Sequence, residues 1–195
     1  YYGAQNEDNA QLFDVSTAID EVNSYKEHGG TTLVDATSVG IARDPLGLFR
    51  ISNATGENVI MGASYYVADA HPSDMDRLTE DDIVDHIVRD ITEGADGTGV
   101  KSGVIGEIGC SWPLAVNERK VLRASARAQR ITGAPILIHP GREETSPLQI
   151  IEVLAEAGAD LSRTIMGHLD RTVFLPSTLT KIAEAGCYME WDLFG

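Results

Sequence analysis

"GVIGEIGCSWP", residues 103–113, reads as a buried strand that ends on a charge. Val104, Ile105 and Ile108 are apolar and set among glycines, yet Glu107 stands between them. A carboxylate in apolar surroundings is costly unless something cationic pairs with it. Two later apolar runs end in the same manner: "APILIHPG" (134–141) carries His139 and "RTIMGHLD" (163–170) carries His168.

Around these runs the chain alternates short β-rich stretches with helical patterns. Strands are expected at 31–37 ("TTLVDAT", read as buried), 58–67, 103–109, 134–141, 163–170 and from 187 onward. Helices are expected at 16–28, 44–56, 79–94, 117–133, 146–158 and 176–186. Thr79 and Asp82 form a capping-box pattern, and Ile83, Ile87, Val88 and Ile91 make one apolar stripe. Ser146 is expected as an N-cap with Pro147 at the first helical position and Gly158 past the end. Apolar strands alternating with amphipathic helices indicate a parallel sheet. An open doubly wound sheet would carry a glycine-rich phosphate loop after its first strand, and "DATSVGIARD" (35–44) is not one. The polar residues fall instead at the C-terminal ends of several strands, as in barrel active sites. The expected fold is therefore an α/β (β/α)8 barrel, incomplete, with about six βα units in a single domain over residues 1–195.

Equivalent strand ends of a parallel sheet share one face, so Glu107, His139 and His168 can converge. Two imidazoles and a carboxylate suit zinc or a similar divalent ion. Taken singly, a strand-end histidine is read first as a hydrogen-bonded structural residue; three such groups on successive strands favour the metal.

Bulk composition narrows the partners. Fifteen Lys and Arg face thirty Asp and Glu, a net charge of −15 that argues against nucleic-acid backbones and anionic membranes. No apolar run approaches the roughly 18 residues of a membrane helix, and no basic stretch leads into an apolar signal segment. Cys110 and Cys187 are read as reduced, packed thiols, and two cysteines cannot make a zinc finger. A cytoplasmic location is expected.

The stretches "GVIGEIGCSWPLAVNERKVL", "ILIHPGR", "AGADLSRTIMGHLDRT" and "GCYMEWDLFG" are specific enough to place the chain in a family. So are the spacings of 32 residues from Glu107 to His139 and 29 from His139 to His168. Over essentially its whole length the chain resembles the phosphotriesterase family of the amidohydrolase superfamily. The resemblance implies a two-metal centre, with zinc as the expected ion, inside a (β/α)8 barrel.

 The family's bridging carboxylate stands at the end of barrel strand four, where Glu107 matches it. His139 and His168, on barrel strands five and six, match the ligands of the second metal. A metal-activated water would then attack an ester or amide carbonyl, or a phosphorus centre. Members of the family near this chain imply a small N-acylated substrate, such as an acyl taurine or acyl amino acid.

The sequence also departs from the family pattern. The first metal is held there by a His-x-His pair, and the histidines of this chain are His28, His71, His86, His139 and His168, with no such pair. The family also needs an acid at the end of barrel strand eight, and the sequence is expected to stop short of that strand. The chain is thus expected to hold barrel strands two to seven. A second reading, from another class, makes it an inactive piece that binds at most one metal or serves as an interaction surface.

Neighbouring residues carry further expectations. Arg142 is a candidate for an anionic substrate group, with an exposed surface arginine as the alternative. Tyr65 and Tyr66 end a strand where an aromatic could line the pocket, with Tyr66 the candidate substrate contact and core packing of one of them the equal alternative. Asp170 and Arg171 could pair and orient the imidazole of His168. His28 and His86 are expected on the surface and His71 at a rim. Glu190 and Asp192 are read mainly as structural, and Asp35 has no assigned role. The partner is a small molecule, with a homodimer as the open assembly option.

Overall fold

A computed structural model describes residues 14–192. Among the described residues six α-helices alternate with six strands: α1 (Val15–Glu27), β1 (Thr32–Asp35), α2 (Pro45–Thr55), β2 (Asn58–Ala63), α3 (Glu80–Thr92), β3 (Val104–Gly109), α4 (Val116–Thr132), β4 (Ile136–His139), α5 (Ser146–Glu156), β5 (Thr164–Met166), α6 (Pro176–Glu184) and β6 (Tyr188–Met189). The strands form one sheet in the order β1-β2-β3-β4-β5-β6, and every pairing is parallel. Each strand lies beside its sequence neighbour, so the sheet curls as an arc of a (β/α)8 barrel and is not doubly wound. Among the described residues no helix is long and apolar enough to cross a membrane.

The helix boundaries follow local chemistry. Asp44 accepts the Gly47 N–H at the start of α2, where Pro45 takes the first helical position, and Gly56 ends the helix with φ of 75°. At α3 both halves of the capping box form: Asp82 N–H donates to Thr79 and the Asp82 carboxylate accepts the Thr79 N–H. Ile83 and Ile87 of α3 are fully buried against Leu122 of α4, and Ile105, Ile136 and Met166 fill the space between helices and sheet. Fully burying one such side chain contributes roughly 1.5–3 kcal/mol.

Two expectations need correction. At α5 the cap position is Thr145 and Ser146 is already helical. Glu143 takes both the backbone N–H and the hydroxyl of Thr145, which shifts the turn by one residue. The strand β1 is not buried: Val34 is 54 % exposed. Among the described residues β1 has a neighbour only on its β2 side, and edge status is not written in a local apolar pattern. Of the last expected strand, residues 193–195 lie outside the described residues.

The sheet is irregular where the site lies. Ile105 pairs with Ile136 and Ile108 with Ile138, so β3 spends three steps against two on β4. Ala63 of β2 faces both Ile105 and Gly106. This bulge turns the Glu107 side chain out of the ordinary alternation. Gly106 makes it possible: its φ is +142°, and a Cβ there would lie 2.3 Å from the Leu137 carbonyl oxygen.

Candidate metal centre

Glu107 is fixed through its backbone by the loop after β1. Its N–H donates to the Ala36 carbonyl at 2.9 Å, and the buried Ser38 hydroxyl donates to the Glu107 carbonyl at 2.9 Å. His139 closes β4, and its carbonyl accepts the Cys110 N–H at 2.9 Å. His168 follows β5 with φ of 55° and ψ of 35°, a left-handed conformation uncommon for a side chain of this size. Gly167 lets it approach: a Cβ at Gly167 would lie 2.7 Å from the Ile138 carbonyl oxygen.

These backbones deliver the three side chains to one point. Glu107 Oε2 lies 2.9 Å from His139 Nδ1, Glu107 Oε1 lies 2.9 Å from His168 Nε2, and the two ring nitrogens are 2.9 Å apart. The imidazoles meet edge to face at 78°, and the side chains are only 16–17 % exposed. Burial pushes the Glu107 carboxyl up, but the hydrogen bonds and charges of His139 and His168 outweigh it and hold it at about 2. Burial lowers His168, and its bond to Glu107 more than reverses this, so His168 is raised above its ordinary value.

One ligand atom from each residue lies within 4.8 Å of the others. Tetrahedral zinc with bonds of about 2.0–2.1 Å needs ligand atoms slightly more than 3 Å apart. A small expansion of the cluster therefore admits an ion, and its nitrogen and carboxylate donors suit zinc-like metals. The residues fit a metal, and the metal would repay the cost of burying Glu107.

The surroundings partly follow the sequence and partly do not. The Tyr66 hydroxyl sits 3.3–3.4 Å from the ring nitrogens of His139, whereas Tyr65 turns into the core and bonds His86. His86 is thus no surface residue: it is half-buried between Tyr65 and Asp90, a link to a hydroxyl 21 residues away that helical periodicity does not reveal. His28 is exposed, as expected. The Nε2 of His71 meets the Tyr66 carbonyl at 2.8 Å, placing it beneath the cluster's tyrosine. Arg142 is exposed on the loop after β4.

Asp170 and Arg171 do not act together on His168. Arg171 Nη2 reaches His139 Nε2 at 3.0 Å. Asp170 accepts the Asp192 N–H at 3.1 Å, and the Asp192 carboxylate contacts His168 Nδ1. Asp192 thereby orients the imidazole from behind, with Nε2 left facing Glu107. Sequence reading also missed Ser38 and Glu118. Glu118 is fully buried and accepts the N–H groups of Ala68, Ser111 and Ala115, tying the loops after β2 and β3 together. A Glu three residues past a helix start is its visible signal; the Ser38 contact spans 69 residues and has none.

A family model described as "Phosphotriesterase family" matches residues 2–195. A phosphotriesterase-related protein of Nematostella vectensis is 50 % identical over 177 residues, covering 91 % of this chain and 51 % of that protein. Human N-acetyltaurine hydrolase is 48 % identical over 189 residues, covering 96 % and 54 %. The crystal structure of a resiniferatoxin-binding protein from Rhodobacter sphaeroides superposes with a TM-score of 0.90 at 41 % identity, covering 94 % of this chain and 51 % of that one. The chain spans about half the length of the curated relatives it matches. With the six-stranded arc and the Glu-His-His cluster at its strand ends, the match over residues 2–195 leaves one conclusion: the chain belongs to the phosphotriesterase family.

Proposed function

We propose that the protein in its full-length form is a metal-dependent hydrolase that cleaves an ester or amide bond, with a small N-acyl compound such as an N-acyl taurine as substrate. The observation that carries this reading is the convergence of Glu107, His139 and His168 within 2.9 Å contacts at the sheet's C-terminal rim. The 48 % identity to a protein named N-acetyltaurine hydrolase supports the substrate class.

Glu107, His139 and His168 would hold the divalent metal, zinc by the donor chemistry, in a centre of two ions per full-length chain. Held by these residues, divalent ions would supply Lewis-acid chemistry: a water of lowered pKa and positive charge near a developing oxyanion. The protein's own groups do the rest. Glu107 stays ionised across the working pH range because its carboxyl is held at about 2. Asp192 keeps His168 turned toward Glu107. Tyr66, whose hydroxyl lies beside His139, and Arg142, on the loop after β4, would be the residues that contact the substrate. The substrate would be a small molecule and the setting cytoplasmic; the net charge of −15 disfavours nucleic-acid and anionic-membrane partners.

A panel of N-acyl taurines, lactones and aryl phosphotriesters, assayed with zinc-loaded full-length protein, tests the reading. Turnover is expected on the acyl taurines, and inactivity on every acyl compound would refute the substrate class. His139→Ala and His168→Ala should each reduce turnover at least about a hundredfold while circular dichroism stays native-like.

A further inference from the structure

Tyr65 and Tyr66 follow β2 and point to opposite sides of the sheet. The Tyr65 hydroxyl lies on the helical side, 2.5 Å from Nδ1 of His86 on α3, and Tyr65 is only 2 % exposed. The Tyr66 hydroxyl lies on the site side, 3.3–3.4 Å from the ring nitrogens of His139. Consecutive residues of extended backbone alternate in this way, so the direction of one dictates the direction of the other.

The backbone just before the pair is strained. Ser64 is buried with φ of 77°, in the left-handed region, and a side-chain-bearing residue stays there only where its surroundings over-determine it. Backbone contacts supply part of that restraint. The Val39 N–H donates to the Ser64 carbonyl at 2.9 Å, the Tyr66 N–H to the Val39 carbonyl at 3.3 Å and the Gly109 N–H to the Tyr65 carbonyl at 3.2 Å. His71 Nε2 meets the Tyr66 carbonyl at 2.8 Å. Two side chains of the turn reach into the helical layer: the Ser64 hydroxyl, 3.1 Å from that of Ser125 on α4, and the Tyr65 hydroxyl on His86.

His86 is itself backed by charge. Its Nε2 faces Asp90 Oδ1 at 3.6 Å, and Arg43 fixes the other Asp90 oxygen at 2.7 Å. An ionised Asp90 favours the ring proton on Nε2, which leaves Nδ1 of the neutral ring to accept from the Tyr65 hydroxyl. Burial, with the charge of Asp90, pushes that hydroxyl up to about 12, so it keeps the proton it donates.

We infer that Tyr65 is a positioning residue: its bond to His86, on the helical side, fixes the turn after β2 so that Tyr66 faces His139. The positioning stands on this geometry; its consequence for turnover rests on the proposed substrate contact of Tyr66.

Crystal structures of the full-length protein and its variants read the positioning without reference to a substrate. In Tyr65→Phe and in His86→Leu the Tyr66 hydroxyl should move about 1 Å or more from its wild-type place. In His86→Asn, which keeps an acceptor near the Nδ1 position, it should stay. An unmoved Tyr66 in Tyr65→Phe overturns the positioning. Kinetics on N-acetyltaurine read the consequence. Tyr65→Phe should lower kcat/KM about fivefold in the wild-type background and leave it unchanged, within about twofold, in a Tyr66→Phe background. Equal losses in both backgrounds show that Tyr65 acts elsewhere and overturn the positioning. If Tyr66→Phe alone changes nothing, or wild type does not turn over N-acetyltaurine, the substrate reading fails while the structures still judge the positioning.

Discussion

Glu107 is a charge made tolerable by its neighbours, and that has a measurable pH signature. Its carboxyl is held at about 2 in the folded chain against an ordinary 4.5. Its contribution to stability is present above pH 4.5 and is lost as pH falls through about 2. His168 is raised above its ordinary 6.5, so its contribution is full below 6.5 and is lost as pH rises through its folded value. The metal-free protein should therefore be most stable between 4.5 and 6.5. The Glu107 shift corresponds to an effect of order 3 kcal/mol, shared with its histidine partners. Thermal unfolding in chelator from pH 2 to 9 reads this, and Glu107→Gln should flatten both limbs. A wild-type profile as flat as that of the variant would contradict the pairing. The meeting of the three side chains was legible because each breaks an apolar run at a strand end. The contacts of Arg171 and Asp192 were not, because they depend on the course of the loops after β5 and β6.

At the scale of elements, the bulge in β3 places Glu107. Gly106→Ala would put a Cβ 2.3 Å from the Leu137 carbonyl in a backbone conformation that side chains avoid. It should cost about 3 kcal/mol or more in denaturant unfolding and weaken metal binding with it. Glu118 holds the loops beside that bulge. Glu118→Ala leaves the Ala68, Ser111 and Ala115 N–H groups without their acceptor, and should cost about 2–4 kcal/mol by the same measurement. The six strands and six α-helices of the described residues were recoverable from periodicity and caps, since apolar spacing and Gly or Pro punctuation are local properties; the short 3-10 turns were not. The bulge was not, because it is a mismatch between two strands and appears in neither alone. The exposure of β1 escaped for the same reason.

At the scale of the whole molecule, one buried ion-pair group ties the first loop to the helical layer. Arg43 and Asp90 have side chains only 2 % exposed and meet at 2.7 Å, and Arg43 also bonds Asp96 and the Gly62 carbonyl. Arg43→Met strands the Asp90 charge and should cost about 3–5 kcal/mol, with Asp90→Asn in the same chain recovering part of it. Chemical denaturation of the single and double variants measures both. The group lies in three separate stretches of sequence, each unremarkable alone, so only the folded chain reveals it.

The most direct test of the central claim is the metal content of the purified full-length protein and its Glu107→Ala variant by elemental analysis. Two divalent ions per chain in wild type, falling sharply in the variant with the fold retained, is the predicted result. An unchanged metal content in Glu107→Ala would contradict it.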